Sequence, residues 1–397
     1  MRNVTKILMV LVLLFVTVVA CCGAADVGET RTFVDDIGRE VILPVEIDAV
    51  SPSGPLAQIV LYSLDQDLFV SVSSDFTDAQ AKYIDPRLLT LPVTGQFYGS
   101  KASTMNPESI MELDKQLKID VVLDIGEAKP TMKADLDDIQ SKTGVAFAFV
   151  TQNRLEDIPG SYVKLGELLS RPERGQELSD YVSALLAEFD AGMKEVGENK
   201  KSLIYVTVID GNSVSMIGEG SYHAEVIDYL GENLAQPAKT GSGTGDEYTM
   251  EDIIQLNPDY IIVEYADGHA KYNTIMTDPM WRSLSAVKNG NVYEAPNGPY
   301  NWMGGPPSIQ RLLSMIWLGN LMYPDVFDYD IDERVKEFYS LFFKYDLTDA
   351  ELDDLMVYAK PAPVSASAQA TQAPAPLFGV LAGLAAAAVV AGWGRNR

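Results

Sequence analysis

The feature that most constrains the fold is a helix–turn–strand unit that occurs twice. Glu108-Ser-Ile110-Met-Glu-Leu113 followed by Asp120-Val-Val-Leu123 recurs as Glu251-Asp-Ile253-Ile-Gln-Leu256 followed by Asp259-Tyr-Ile-Ile-Val263. In the first copy Asn106 is placed to cap a helix with Pro107 at its first position; in the second, Thr249 caps with Asp252 three residues on. Val121 to Leu123 and Tyr260 to Val263 are β-rich and continuous instead of alternating, which reads as strands of a parallel sheet buried on both faces. Two similar α/β lobes follow.

Between the two units, Arg174 to Val196 spaces Leu178, Tyr181, Val182, Leu185, Leu186 and Phe189 at three and four residues, with no proline and, after Gly175, no glycine before Gly192. That spacing predicts one long amphipathic helix. Lobes joined by crossing strands would have loops here, so a single helix predicts a stiff hinge and a small lobe rotation on ligand binding. The predicted fold class is α/β, with two Rossmann-like α/β lobes joined by a single long helix and a ligand cleft between them. At roughly 150 residues per domain, 397 residues suit two folded domains. The predicted divisions are an N-terminal lobe over 26–160, an inter-lobe segment with the linking helix over 161–198 and a C-terminal lobe over 199–358.

Charge and cysteine content exclude whole classes. Lys and Arg number 30 against 56 Asp and Glu, and the formal charge of -26 repels phosphate backbones, so no nucleic-acid partner is expected. Cys21 and Cys22 are the only cysteines, adjacent and close to the N-terminus, so the body holds neither a disulfide framework nor a thiolate metal site.

Both ends read as address labels. Residues 1–25 carry Arg2 and Lys6, then the apolar run Ile7 to Ala20 and no acid, the layout of a secretory signal peptide. Val18-Val19-Ala20-Cys21 resembles a lipobox, whose cysteine becomes the lipidated first residue; cleavage after Ala24 or Ala25 as an ordinary signal fits as well. At the other end, Pro361 to Pro376 is an uncharged Pro/Ala/Ser/Gln/Thr run, too poor in large apolar groups to offset the entropy of ordering, so 359–376 is expected to be a flexible stalk. Leu377 to Trp393 is apolar and is followed by Arg395 and Arg397, which predicts a membrane anchor or sorting segment over 377–397 with a basic cytoplasmic end. This tripartite tail resembles the archaeal C-terminal sorting signals processed by archaeosortases, with Pro376-Leu377-Phe378-Gly379 at the junction where the best-known class has Pro-Gly-Phe. The expectation is an exported protein anchored at the extracellular face of the cell membrane.

A series of segments along the body carries a family resemblance. Asp35-Asp-Ile-Gly-Arg-Glu-Val41 leads to Ala49-Val-Ser-Pro-Ser53, then to the Asn106-Pro-Glu-Ser-Ile110 helix and Leu165-Gly-Glu-Leu-Leu169. Ser221-Tyr-His-Ala-Glu225 precedes Tyr229-Leu-Gly-Glu-Asn233, and the run from Asn257-Pro-Asp259 through Met280-Trp281 ends at Val287-Lys-Asn-Gly-Asn-Val292-Tyr293. In this order, over roughly residues 31–345, the chain resembles the periplasmic binding proteins of iron-siderophore, haem and cobalamin ABC importers, in an archaeal surface-anchored form. The resemblance implies a monomer that captures a metal chelate, whether ferric siderophore, haem or corrinoid, and delivers it to an importer permease with its ATPase. It implies no enzymatic activity, no cofactor, no catalytic residue and no resident metal.

In open α/β lobes, ligands bind beyond the carboxyl ends of parallel strands. Six loops qualify: Ser51 to Gly54, Gln96 to Lys101, Gly126 to Pro130, Gly218 to His223, Tyr265 to His269, and Asn297 to Pro307. The candidate ligand-binding residues are Ser53, Tyr98, Tyr222, His223, Tyr265, Tyr300, Trp302 and Arg311, whose flat apolar faces and polar edges suit a large planar or greasy chelate. Tyr300 and Trp302 lie in Pro299-Tyr-Asn-Trp-Met-Gly-Gly-Pro-Pro307, a stretch that its Gly and Pro residues make too irregular for core. His223 reads either as an axial ligand to a metal centre or as a capping or surface histidine, and Arg311 either as a partner for a ligand carboxylate or catecholate or as a salt bridge. The resemblance also implies one exposed carboxylate per lobe for permease docking. Glu225 matches the second; in the first lobe, where Gln58 and Ile59 occupy the expected place, Asp65 or Asp67 is the substitute.

Other motifs fail on their chemistry. Gly241-Ser-Gly-Thr-Gly245 has no Lys after it and reads as a loop, not a phosphate cradle. Asp328-Tyr-Asp-Ile-Asp332 begins like a calcium loop, but Glu333 replaces the glycine of its sharp turn and Tyr339 its final Glu, so helix capping is the reading. The alternative function is a surface-tethered hydrolase that uses the same cleft with Glu127 and Glu219, although no nucleophile or metal site accompanies them.

Overall fold

The computed structural model describes residues 29–98, 104–239 and 243–361. The signal-like segment with Cys21, nearly all of the stalk and the apolar C-terminal run lie outside the described residues. Among the described residues, no helix is long and apolar enough to cross a membrane.

Strands β1 (Thr30–Val34) and β2 (Glu40–Pro44) pair as an antiparallel hairpin. Buried Arg39 pins this hairpin to the first lobe through Asp137 Oδ1 at 2.7 Å, Gln140 Oε1 at 2.8 Å and the Phe147 carbonyl at 2.6 Å. Strands β3 (Val50–Pro52), β4 (Val121–Gly126) and β5 (Phe147–Thr151) then form a parallel sheet in that order. The second lobe contains β6 (Ser202–Asp210), β7 (Ser213–Met216), β8 (Glu232–Asn233), β9 (Asp246–Thr249), β10 (Tyr260–Val263) and β11 (Val292–Glu294), in the order β11-β10-β6-β7-β9. Here β11, β10 and β6 are parallel; β6 pairs with β8 at its start and with antiparallel β7 from Val206 on. The duplicated unit supplies β4 and β10. Its caps form as the sequence predicts: Asn106 Oδ1 accepts the Glu108 N–H at 2.9 Å, and Thr249 and Asp252 make a reciprocal capping box.

Because strand side chains alternate in direction, each buried strand feeds two cores. Val122, Phe147 and Phe149 pack with Ile110, Leu113, Leu136 and Ile139 of the helices Pro107–Leu117 and Met132–Thr143. Val121, Leu123, Ala148 and Val150 face the other way, into a core that continues through Leu178, Val182, Leu185 and Phe189 to Leu203, Tyr205 and Ile262 of the second lobe. The linking helix, Pro172–Val196, is 25 residues long and starts two residues before the predicted span because Pro172 suits its first turn. It lies so close to the preceding helix, Ile158–Leu168, that a Cβ on Gly175 would fall 2.5 Å from the Tyr162 carbonyl oxygen. The core thus runs without a break along the linking helix, and the two helices meet at a glycine contact.

Candidate functional site

A cavity of about 690 Å³ opens between the lobes at the carboxyl ends of the parallel strands. The first lobe contributes Gly54 to Leu56 at the start of the helix Pro55–Leu64, Gln96, Tyr98, Asp124 to Glu127, Lys129, Met132 and Asn153. The second contributes Tyr222, His223, Gly243, Pro306 and Pro307. Four of the six predicted loops, and the end of a fifth, therefore meet in one place, and the volume suits a drug-sized ligand.

Three predicted residues line this cavity. Tyr98 is half-buried; its hydroxyl donates to Asp135 Oδ2 at 3.0 Å and its ring lies 5.1 Å from Lys129 Nζ. Burial, reinforced by the Asp135 carboxylate, holds this phenol well above its ordinary range. Tyr222 donates to the Pro307 carbonyl at 3.1 Å, and the Arg311 guanidinium lies 5.0 Å from its ring. His223 Nδ1 lies 3.3 Å from the Gly304 carbonyl. That oxygen only accepts, so Nδ1 carries the proton and Nε2 the lone pair. Burial lowers the His223 pKa, which keeps the ring neutral near pH 7.

Asp124 is the lining residue that sequence reading missed. It is 4 % exposed, its Oδ1 accepts the Ser53 hydroxyl, and no hydrogen bond of ordinary geometry reaches Oδ2. Gln96, also 4 % exposed, has an unpaired Oε1. Buried polar atoms are nearly always paired, so two unpaired acceptors on residues that line one cavity mark a place prepared for a donor. The signal was present in the strand, because a carboxylate follows Val121-Val-Leu123 where a doubly buried strand should continue apolar.

Burial raises the Asp124 pKa from 3.8 to about 6, opposed in part by the Ser53 hydroxyl, the Ile125 N–H and Lys129. The charged form is thus disfavoured in the fold relative to the unfolded chain. Its cost is absent below about pH 4 and complete above about pH 6, so this group makes stability fall as pH rises through that window. Asp124→Asn is expected to remove this dependence and to raise stability at about pH 7.5 by up to about 3 kcal/mol. Denaturant titrations of both proteins at low and neutral pH read it directly; identical slopes against pH would assign the effect elsewhere.

The remaining predicted residues lie elsewhere, and each has a physical reason. Ser53 is fully buried and positions Asp124 instead of facing a ligand. Trp302 is 0 % exposed, with its ring edge-on to Trp317 at 6.4 Å and near Tyr339 at 6.5 Å; Tyr300, also buried, packs toward Phe343 at 6.5 Å. The Gly/Pro loop folds inward through bridges of Asn301 to Asn297 and to Gly305, and only its end, Pro306 and Pro307, reaches the cavity. Tyr265 lines a separate space of about 220 Å³ with His269, whose Nδ1 is 2.5 Å from Glu294 Oε2. Glu219 of the hydrolase alternative is exposed and outside the cavity that Glu127 lines.

Arg311 is 1 % exposed and fully engaged. Nη1 lies 2.5 Å from Glu225 Oε2, Nη2 3.3 Å from the Asn153 carbonyl and Nε 3.2 Å from the Ser308 carbonyl. Glu225, in turn, accepts the Leu155 N–H through both oxygens at 3.0 and 3.1 Å. The pair therefore ties the second lobe to the loop after β5: of the two readings of Arg311 the structure shows the salt bridge, and Glu225, with 16 % of its side chain exposed, is held by that pair. Asp65, the first-lobe docking candidate, is ion-paired at 2.7 Å with Arg171, just ahead of the linking helix. Among the described residues, no group of three or more His, Cys, Asp or Glu side chains is arranged to hold a metal ion.

The family model for periplasmic binding proteins matches residues 115–299. The chain is similar to the Fe(3+)-citrate-binding protein YfmC of Bacillus subtilis, 22% identical over 188 residues, which are 47% of this chain and span 57% of that protein's length. It is also similar to the high-affinity haem uptake system protein IsdE of Staphylococcus aureus, 21% identical over 251 residues, 60% of this chain and 82% of that protein. Among solved structures, an ABC transporter solute-binding protein from Sulfurospirillum deleyianum superposes with a TM-score of 0.73 at 25% identity, covering 82% of this chain and 99% of that one. A periplasmic solute-binding protein from Veillonella parvula gives 0.66 at 25% identity, covering 83% and 98%. The two-lobed fold is thus shared with these solute-binding structures, and the family model for periplasmic binding proteins matches a little under half of the chain.

Proposed function

We propose that this protein captures a metal chelate in the inter-lobe cavity and delivers it to the permease of an ABC importer. The observation that carries the reading is the cavity itself: about 690 Å³, walled by both lobes, flanked by the rings of Tyr98, Tyr222 and His223, with acceptors at Asp124 and Gln96 left open. The names of YfmC and IsdE, an Fe(3+)-citrate-binding and a haem uptake protein, support a metal chelate as the cargo class. The single linking helix and the core that continues along it support a binding role with small lobe rotation. Export, tethering through the apolar C-terminal run and lipidation of Cys21 belong to the same proposal and rest on the sequence of both ends.

The test is ligand retention. The full chain, purified from its native source, is expected to carry one stoichiometric chelate, identified by visible absorption and mass spectrometry. Repeated purification without ligand, coupled to turnover of an ester, amide or glycoside substrate, would favour the hydrolase reading instead.

A further inference from the structure

Resting on the binding role just proposed, the charge and acceptor pattern of the cavity narrows the cargo. Among the described lining residues, the ionisable side chains besides His223 and the phenols of Tyr98 and Tyr222 are Asp124, Glu127 and Lys129. Lys129 and the half-charge at the start of the helix Pro55–Leu64 together fall short of the two carboxylates. The guanidinium that would ordinarily receive a ligand carboxylate, Arg311, is neutralised by Glu225 at 2.5 Å and buried beneath the Tyr222 ring. Besides the Lys129 ammonium, which lies 5.1 Å from the Tyr98 ring, the described lining offers acceptors: Asp124 Oδ2 and Gln96 Oε1, each without a partner, and the Nε2 lone pair of a His223 ring whose Nδ1 proton goes to the Gly304 carbonyl.

We infer that the cavity selects a neutral or cationic chelate whose edge donates N–H or O–H hydrogen bonds to Asp124, Gln96 and His223, and discriminates against polyanionic chelates. A carboxylate-rich ligand would bring acceptors to acceptors and negative charge to a buried carboxylate, leaving both sides unpaired and desolvated. A ligand edged with protonated amines, primary amides or hydroxyls satisfies all three atoms at once. Ser53 acts through Asp124 as a positioning residue, because its hydroxyl holds Oδ1 and leaves Oδ2 for the ligand.

The full chain, purified in detergent and stripped of ligand, is titrated at about pH 7.5 by intrinsic fluorescence with four probes. Ferrioxamine B and aquocobinamide are cationic and edged with N–H donors; ferric citrate and haemin carry carboxylates. At least one cationic probe is expected to bind about tenfold or more tightly than both anionic ones. Asp124→Asn is expected to weaken that binding about tenfold, the worth of a charge-assisted hydrogen bond, with no fall in Tm. Gln96→Leu is expected to weaken it by a smaller factor. Tighter binding of ferric citrate or haemin overturns the inference while leaving the binding role intact. Unchanged affinity in Asp124→Asn, or a lowered Tm with affinity retained, also overturns it by returning Asp124 to a structural role. Binding of none of the four, with no chelate retained on native purification, removes the binding role and the inference with it.

Discussion

Replacing Trp302 by alanine is expected to destabilise the protein by about 3–5 kcal/mol, the usual cost of removing a fully buried indole. The ring is 0 % exposed and is wedged against Trp317 and Tyr339, on a loop that also carries buried Tyr300 and Met303. Its removal leaves a cavity that Asn301, tied to both Asn297 and Gly305, holds open by fixing the backbone on either side. Chemical denaturation measures the loss. Ligand affinity in the folded fraction is expected to stay within about threefold of the parent, because Trp302 does not line the cleft. A variant that keeps its stability and loses its ligand would put Trp302 back in the binding site.

Glu225→Ala is expected to cost about 3–5 kcal/mol, because it strands the Arg311 guanidinium, 1 % exposed, with only the Asn153 and Ser308 carbonyls as partners. The Leu155 N–H loses its acceptor as well. The double variant Glu225→Ala, Arg311→Met removes the stranded charge and is expected to recover much of the loss, so a double-mutant cycle on the purified protein isolates the pair. The effect is intrinsic to the chain and needs no permease. If Glu225→Ala changes stability by less than about 1 kcal/mol, the inter-lobe tie carries little load and the residue is free for an outward role.

Much of the architecture was legible because its determinants are local. The caps at Asn106 and Thr249, the apolar spacing of Leu178, Val182, Leu185 and Phe189, and the continuous strands around Val121 and Tyr260 each act within a few residues, and each appears in the structure. The antiparallel additions β7 and β9 were not legible in the duplicated unit, since they pair beyond it. Among site residues, Tyr98, Tyr222 and His223 reached the cavity because they sit at strand ends in loops that the fold must turn toward it. Asp124 fell between the strand read over Val121 to Leu123 and the loop read from Gly126, when its charge at the end of that strand was the informative feature.

The sequence by itself determined two α/β lobes, a single linking helix and a cleft at the strand ends, because periodicity, capping and strand composition act over short stretches of chain. Only the tertiary structure decided which polar and aromatic groups face that cleft. Trp302 and Tyr222 both lie in irregular segments, yet one is sealed against Trp317 and the other opens onto the cavity. Arg311 and Glu225 are 86 residues apart in the chain, and their pairing, which removes one from the ligand and the other from the surface, exists only once the second lobe has closed on the loop after β5. Burial and pairing depend on contacts between distant segments, so the chemistry of the cleft is set by packing that no local pattern encodes.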